Sequence, residues 1–197
     1  MRHILLVWSI VFPIFFLACG ENLLPSSTGE IDGMITLEDA NDRDYNLKTP
    51  GYEIQVSIRE DVNSDVDEIL DLLDERAADF LECQFMMGPD IGFQPFLIPN
   101  GEVTPLSMLR VFVVPFTFEC EAVDKNICAG IYYYPDTDLI IIANEGLGRC
   151  GNLPLWKHEV GHRYGMAPDH SNQNDFEPCI DPPDCDTIDL PDIFINE

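Results

Sequence analysis

The sequence predicts an α+β fold, in which a mixed, twisted sheet packs with two main helices and the second helix carries a histidine motif. Two kinds of pattern predict it. Strand-like alternation or dense apolar runs occur at 52–58, 109–118, 131–134 and 139–143. Apolar residues recur at helical spacing in 64–83 and 152–164. The 197 residues are enough for one domain with a hydrophobic core but few for two.

The expected strands differ in character. The segment 109–118 contains Pro115, which cannot donate to a strand ladder and therefore predicts a bend or bulge. The two later apolar runs flank a turn at 135–138, which predicts a β-hairpin. Asp136 and Asp138 lie in that turn and are candidate calcium ligands, although turn chemistry also accounts for aspartates there.

Both expected helices carry end signals. Ser64 is the expected N-cap of the first helix, which should run to about residue 83. The second helix is expected to begin near residue 152, with Pro154 in the first turn, where a missing N–H costs little. Gly165 is expected to end it.

The chain is strongly acidic, with 36 Asp and Glu against 10 Lys and Arg and a formal net charge of -26. A surface this negative repels nucleic-acid phosphates and anionic lipid headgroups, so we expect no nucleic-acid partner and no adsorption on a lipid surface. Such acidity is compatible with calcium sites or cationic substrates, although most acidic surface is simply solvated.

The N-terminus is expected to be an export signal rather than part of the fold. A basic start precedes an apolar run at 4–18 that is short for a bilayer span. The run closes with Phe16-Leu17-Ala18-Cys19-Gly20, which resembles the lipobox of bacterial lipoproteins, although Phe16 stands where Leu is usual. This resemblance implies an exported protein that is anchored in the cell envelope through a lipid on Cys19. Plain secretion and an uncleaved anchor are the alternatives.

We therefore expect three parts in the chain. Residues 1–18 are the signal peptide, and residues 19–50 are a lipid-anchored tether that is rich in Ser, Gly, Asn, Asp and Pro, with one short strand at 33–37. Residues 51–197 are the folded domain.

Seven cysteines are an odd number, and six remain if Cys19 carries a lipid. An even set in an exported chain predicts three disulfide bonds. Fifteen pairings are possible for six cysteines, so the pairing stays open. Spacing suggests one of them: Cys179–Cys185, Cys128–Cys150 and Cys83–Cys120.

The second helix contains His158-Glu159-Val160-Gly161-His162, an H-E-x-x-H motif. Residues four apart lie on one helical face, so both imidazoles can bind one zinc ion. Glu159 is placed to accept a proton from a zinc-activated water. The opposite face, with Trp156 and Tyr164, is expected to enter the core.

The histidines are clustered along the chain. Apart from His3 in the expected signal, all the histidines fall at 158, 162 and 170. This clustering favours a metal site over unrelated surface or core histidines. A structural zinc site is the alternative, but such sites usually have four protein ligands, often cysteines. An open site with three protein ligands is typical of a hydrolase.

The stretch 158–165 reads HEVGHRYG and resembles the H-E-x-x-H-x-x-G core of the metzincin zinc peptidases. The order of elements over 52–170 is also similar to that of a small metzincin. The resemblance implies a zincin-like fold and a third metal ligand, a His or Asp, three residues after the Gly. A metzincin also has a Met beneath the zinc, downstream of the third ligand, but no Met follows Met166 here.

The sequence departs from the metzincin pattern at the position of the third ligand. Pro168 stands where the family has its third ligand, and it cannot bind zinc. His170 is the favoured ligand because imidazole is the commoner zinc ligand, and Asp169 is the alternative. Glu177 and Asp181 are more distant candidates.

Together these patterns predict a zinc-dependent peptidase of the cell envelope, with His158, His162 and His170 as metal ligands and Glu159 as general base. The expected partner is a peptide or protein substrate, bound in extended form along the strand at 131–134, and the protein is expected to be a monomer. A non-catalytic, zincin-like binding or adaptor lipoprotein is the alternative function.

Overall fold

Two sheets and four helices make up the part of the chain that the computed structural model describes, which is residues 31–87, 105–120, 127–133, 137–144, 147 and 153–180. The strands are β1 (Asp32–Ile35), β2 (Leu47–Lys48), β3 (Gln55–Ile58), β4 (Arg110–Val114), β5 (Phe118–Cys120), β6 (Ile127–Cys128), β7 (Gly130–Tyr133) and β8 (Leu139–Ala143). The helices are α1 (Leu37–Asn41), α2 (Val66–Met87), α3 (Leu153–Arg163) and α4 (Glu177–Ile180). The predicted α+β class is confirmed.

The larger sheet has five strands in the order β2-β3-β4-β8-β7. Strands β3, β4 and β8 are parallel, whereas the two edge strands, β2 and β7, run antiparallel to their neighbours. The sheet is therefore mixed, as predicted, and the expected hairpin is β7 with β8. The second sheet has three strands in the order β1-β5-β6.

Both faces of the larger sheet are buried. Val111 and Val113 of β4 join the core formed with α2 and α3, whereas Phe112 and Val114 join a second core shared with the three-stranded sheet. Since alternate side chains point to opposite faces, a strand covered on both sides must be apolar throughout. This explains the dense apolar run at 109–118.

Pro115 separates β4 from β5, and these strands belong to different sheets. The expected bend is thus the point at which the chain leaves the larger sheet. Thr117, just before β5, already takes part in the pairing with β1, because its carbonyl oxygen accepts a hydrogen bond from the N–H of Asp32 at 2.7 Å.

Helix α2 starts at a different cap from the expected Ser64. The Asp65 carboxylate accepts hydrogen bonds from the N–H groups of Asp67 and Glu68, at 2.9 and 3.2 Å. A carboxylate at this position also interacts favourably with the positive end of the helix dipole. The Ser64 hydroxyl instead accepts a hydrogen bond from Asn144 at 2.7 Å.

Part of the expected tether is folded. Residues 32–48 form β1, α1 and β2, and β1 and β2 pair with β5 and β3. Ile35 and Ala40 are buried in the second core. The folded region therefore includes residues before 51, and the expected strand at 33–37 corresponds to β1. The expected signal peptide (residues 1–18) and Cys19 lie outside the described residues. Within the described residues, none of the helices combines the length and apolar character that crossing a membrane requires.

Two disulfide bonds confirm that the chain uses cysteines as cross-links. Cys83 of α2 bonds to Cys179 of α4 across 96 residues of sequence. Cys120 bonds to Cys128 across 8 residues and joins β5 to β6.

The pairing suggested by spacing is wrong for these four cysteines. Cys128 bonds to Cys120 rather than to Cys150 because β5 pairs with β6, and Cys83 bonds to Cys179 rather than to Cys120. The chain between α2 and α4 returns to the same side of the sheet, which brings Cys83 and Cys179 together. The two remaining cysteines, Cys150 and Cys185, lie outside the described residues.

Candidate metal centre

Helix α3 packs one side into the core, as its sequence predicts, and carries its histidines on a half-buried side. Trp156, Val160 and Tyr164 are all buried in the core beside α2. The Trp156 indole N–H donates to the carbonyl oxygen of Leu73 at 3.0 Å, which ties α3 to α2. The rotation of the helix leaves His158 half-buried on its other side.

The helix ends in a turn that returns the chain towards the histidines. Gly165 has a φ of 111°, a left-handed conformation that side chains disfavour. The N–H of Met166 donates to the Gly161 carbonyl at 2.9 Å, and that of Gly165 donates to the His162 carbonyl at 3.2 Å. These two bonds are the Schellman pattern of a helix C-terminus. Gly165 therefore ends the helix, as predicted.

The structure brings His170 to the two helical histidines. Its Nε2 lies 3.1 Å from Nε2 of His158 and 3.2 Å from Nε2 of His162. In the described part of the chain, one group of three or more potential ligand atoms lies within 4.8 Å of one another, and it consists of these three histidines. The three residues that the sequence nominated thus converge on one point.

The hydrogen bonding of His162 defines its tautomer. Its Nδ1 lies 3.0 Å from the carbonyl oxygen of Met166. A carbonyl only accepts, so Nδ1 carries the proton and Nε2 presents a lone pair to the cluster. Metal-binding histidines commonly hold their second nitrogen in this way.

Burial also keeps the helical imidazoles neutral. Burial, together with the neighbouring His162 and His170, lowers the pKa of His158 to about 3. Burial and His170 lower the pKa of His162 to about 4, against the opposing effect of the Met166 carbonyl. Neutral imidazole is the form that binds metals.

Two of the three nitrogen separations in the cluster suit a zinc ion. Ligand nitrogens about 2.0–2.1 Å from one tetrahedral zinc ion lie about 3.3 Å from each other. The two Nε2 separations of 3.1 and 3.2 Å are close to that value. Three imidazoles leave one tetrahedral position for a solvent or substrate oxygen, which is the ligand pattern of catalytic rather than structural zinc sites.

The other candidate ligands lie elsewhere. Asp169 is exposed, and its carboxylate accepts a hydrogen bond from the N–H of Ser171 at 3.1 Å. Glu177 is exposed on α4, and Asp181 lies outside the described residues. The geometry therefore favours His170 as the third ligand.

Glu159 is buried between α3 and the edge strand β7. Its carboxylate accepts a hydrogen bond from the backbone N–H of Tyr132, but burial dominates and raises its pKa to about 8. Gly130 permits this approach, because a Cβ there would lie 2.9 Å from Oε1 of Glu159. Without a nearby cation the carboxyl is largely protonated at neutral pH, and a cation bound by the histidines would favour its ionised, basic form.

Met166 packs beneath the C-terminal end of α3. It precedes His170 in the sequence, whereas the metzincin methionine follows the third ligand. Met166 is buried, and its Cε would lie 3.4 Å from a Cβ at Gly161. Its carbonyl oxygen lies 3.0 Å from Nδ1 of His162.

Asp138, a candidate calcium ligand, instead holds α3 to the β-hairpin. Its carboxylate accepts three hydrogen bonds from Arg163, from Nε at 2.9 and 3.2 Å and from Nη2 at 2.8 Å. The Arg163 side chain is fully buried and also donates to the carbonyl of Pro105 at 3.1 Å. The second candidate, Asp136, lies outside the described residues.

The sequence analysis did not predict the Arg163–Asp138 ion pair or the role of the Asn172 side-chain amide. The Asn172 side chain contacts the backbone on both sides of Met166. An arginine that directly follows His162, on the predicted buried side of the helix, was the available signal for the ion pair. No signal pointed to Asn172.

No protein-family model, curated protein or solved structure matches the chain.

Replacing Asp138 with Asn should destabilise the protein strongly, since it leaves the buried Arg163 guanidinium without its counter-charge. We expect a loss of about 3–5 kcal/mol in the free energy of unfolding, measured by denaturant titration of the metal-free protein. Asp61→Asn is the matched control, because Asp61 pairs with Arg59 at the surface with 60% of its side chain exposed. The control should lose less than about 1 kcal/mol. Equal losses in the two variants would contradict the assignment.

Proposed function

We propose that this protein is a zinc-dependent peptidase. The observation that carries the proposal is the convergence of three imidazole nitrogens on one point. Two of them come from α3, the helix that also carries the buried Glu159. Two histidines with a neighbouring glutamate in H-E-x-x-H order are the ligand and base arrangement of zinc peptidases. A purely structural site would have no need of Glu159.

The order of elements supports a zincin-like architecture. Strand β3 is followed by the long helix α2, then by β4, the β7–β8 hairpin and the histidine-bearing helix α3. This is the order on which the resemblance to metzincins rests. The turn at Gly165 also separates the helical histidines from the third one, as that resemblance implies.

Each residue has a defined part in the proposed chemistry. A bound zinc ion would supply Lewis-acid polarisation of a carbonyl and of a water molecule. The three histidines would hold the metal through Nε2, and the Met166 carbonyl orients His162 through Nδ1. Glu159 accepts the proton of the attacking water and then donates it to the leaving amine.

The edge strand β7 supports an extended peptide as the substrate. It forms one side of the five-stranded sheet and contacts α3. A peptide strand can be added to such an edge by main-chain hydrogen bonds. The Tyr132 N–H donates to Glu159, so the proposed base lies at this edge, and a peptide would pair with the strand beside that contact.

Export with a lipid on Cys19 remains part of the proposal. The two disulfides are typical of an oxidising compartment outside the cytosol. Because the chain is strongly negative, it should be repelled by anionic lipid headgroups, so the lipid on Cys19 is the proposed membrane contact. The same charge makes copies of the chain repel each other, and a monomer is the proposed state.

One zinc ion per chain should be found by elemental analysis of protein purified without chelators. His158→Ala, His162→Ala and His170→Ala should each lose most of the metal, because each removes one of three protein ligands. Asp169→Ala should keep it, and serves as the control next to His170. Retention of zinc by His170→Ala together with loss in Asp169→Ala would replace the proposed third ligand.

Glu159→Gln should lower peptide hydrolysis by about two to four orders of magnitude and leave zinc content unchanged. The amide keeps the shape of the side chain but cannot act as a base. Glu82→Gln, an exposed position on α2, is the matched control and should keep full activity. An unchanged rate in Glu159→Gln would refute the mechanism. Failure of the wild type on a broad peptide library would favour the adaptor function.

Lipidation predicts a mature N-terminus at Cys19. The intact mass of protein extracted from membranes should exceed that of residues 19–197 by a diacylglycerol, usually with a further acyl chain. Cys19→Ala should abolish the added mass and release the protein from the membrane. Recovery of a wild-type N-terminus beyond Cys19 would refute lipidation and indicate plain secretion.

A further inference from the structure

The turn that carries His170 is closed by the side chain of Asn172. Its Oδ1 accepts a hydrogen bond from the N–H of Ala167 at 2.7 Å. Its Nδ2 donates to the carbonyl oxygen of Gly165 at 3.0 Å. Because an N–H only donates and a carbonyl only accepts, these two partners define the orientation of the amide. One side chain therefore links the end of the helix to the residues beyond His170.

His170 lies inside this closed turn in an unfavourable backbone conformation. Its φ is 56°, the left-handed region that a residue with a side chain occupies only when its surroundings require it. Backbone bonds flank it on both sides. Its N–H donates to the Ala167 carbonyl at 2.9 Å, and its carbonyl accepts from Gln173 at 3.0 Å. The backbone at His170 thus depends on constraints on either side of it.

We propose that Asn172 is a positioning residue for the metal site. By fixing Gly165 and Ala167 relative to residue 172, it holds His170 in the left-handed conformation that presents its Nε2 to His158 and His162. This inference rests on the proposed function, because it treats these three histidines as zinc ligands. It adds a residue that acts on the site through the backbone of the turn.

An amide is the side chain that suits this position. Alanine would remove both hydrogen bonds. Aspartate has the same shape and keeps the acceptor for the Ala167 N–H, but it replaces the donor to the Gly165 carbonyl with a second acceptor. Asn172→Asp therefore tests one half of the clamp and Asn172→Ala tests the whole of it.

The experiment is a competition titration of zinc against a chromophoric chelator, with the full folded chain at neutral pH. Asn172→Ala should bind zinc about 10- to 100-fold more weakly, the usual effect of removing a group that orients a metal ligand. Asn172→Asp should also be weakened. Asn174→Ala is the matched control, the same residue type two positions along with an exposed side chain, and its affinity should be unchanged.

A double variant separates positioning from a general loss of stability. In a His170→Ala background, Asn172→Ala should have no further effect on zinc affinity, because the ligand it positions is gone. A further loss of similar size would overturn the inference. Loss of the native circular dichroism spectrum in both Asn172 variants would also overturn it, since Phe176 and the Cys83–Cys179 bond anchor the segment independently of Asn172.

The single variants distinguish the two proposals. If His170→Ala leaves zinc affinity unchanged, the ligand set is wrong and the proposed function fails in that respect. If His170→Ala weakens binding while Asn172→Ala and Asn172→Asp do not, the ligand set stands and only the positioning inference fails. Cobalt(II) absorption provides a second readout, because a displaced third ligand changes the visible spectrum even where affinity is partly retained.

Discussion

Trp156 is buried in the core and donates its indole N–H to the carbonyl oxygen of Leu73 on α2. Val160 and Tyr164 follow it along the same side of α3 and are buried as well. Each large apolar side chain contributes about 1.5–3 kcal/mol by burial, so α3 has one strongly preferred rotation. That rotation decides where His158 and His162 point, and every further feature of the site is built on it.

The two ends of the site are held by contacts of different physical kinds. On one side, Arg163 and Asp138 form a buried ion pair that fixes α3 against the start of β8. Such a pair adds little net stability compared with apolar packing, but it tolerates only one geometry. On the same side, Gly130 brings β7 so close that Glu159 lies against the strand. The hairpin and the helix therefore form one unit, with the base between them.

The third histidine depends on a different set of contacts, most of them distant in sequence. The segment after Gly165 is anchored in the core by Phe176 and Ile180 and is cross-linked to α2 through Cys83 and Cys179. These anchors keep the segment near the side of α3 that carries the histidines. Close to the histidines the constraints become polar and local, and they allow His170 its left-handed backbone. Strain of this kind persists only where the surroundings over-determine it.

The sequence by itself determined the local elements and the chemistry that they carry. The helical period predicted the buried side of α3, Gly165 predicted its end, and H-E-x-x-H nominated two histidines and Glu159, because all of these signals arise from neighbours within one or two helical turns. Only the tertiary structure decided that His170 rather than Asp169 reaches the cluster, and that Cys83 bonds to Cys179. It also decided that Asp138 forms an ion pair with Arg163. Those outcomes depend on which distant segments share a core, and spacing along the chain carries no information about that.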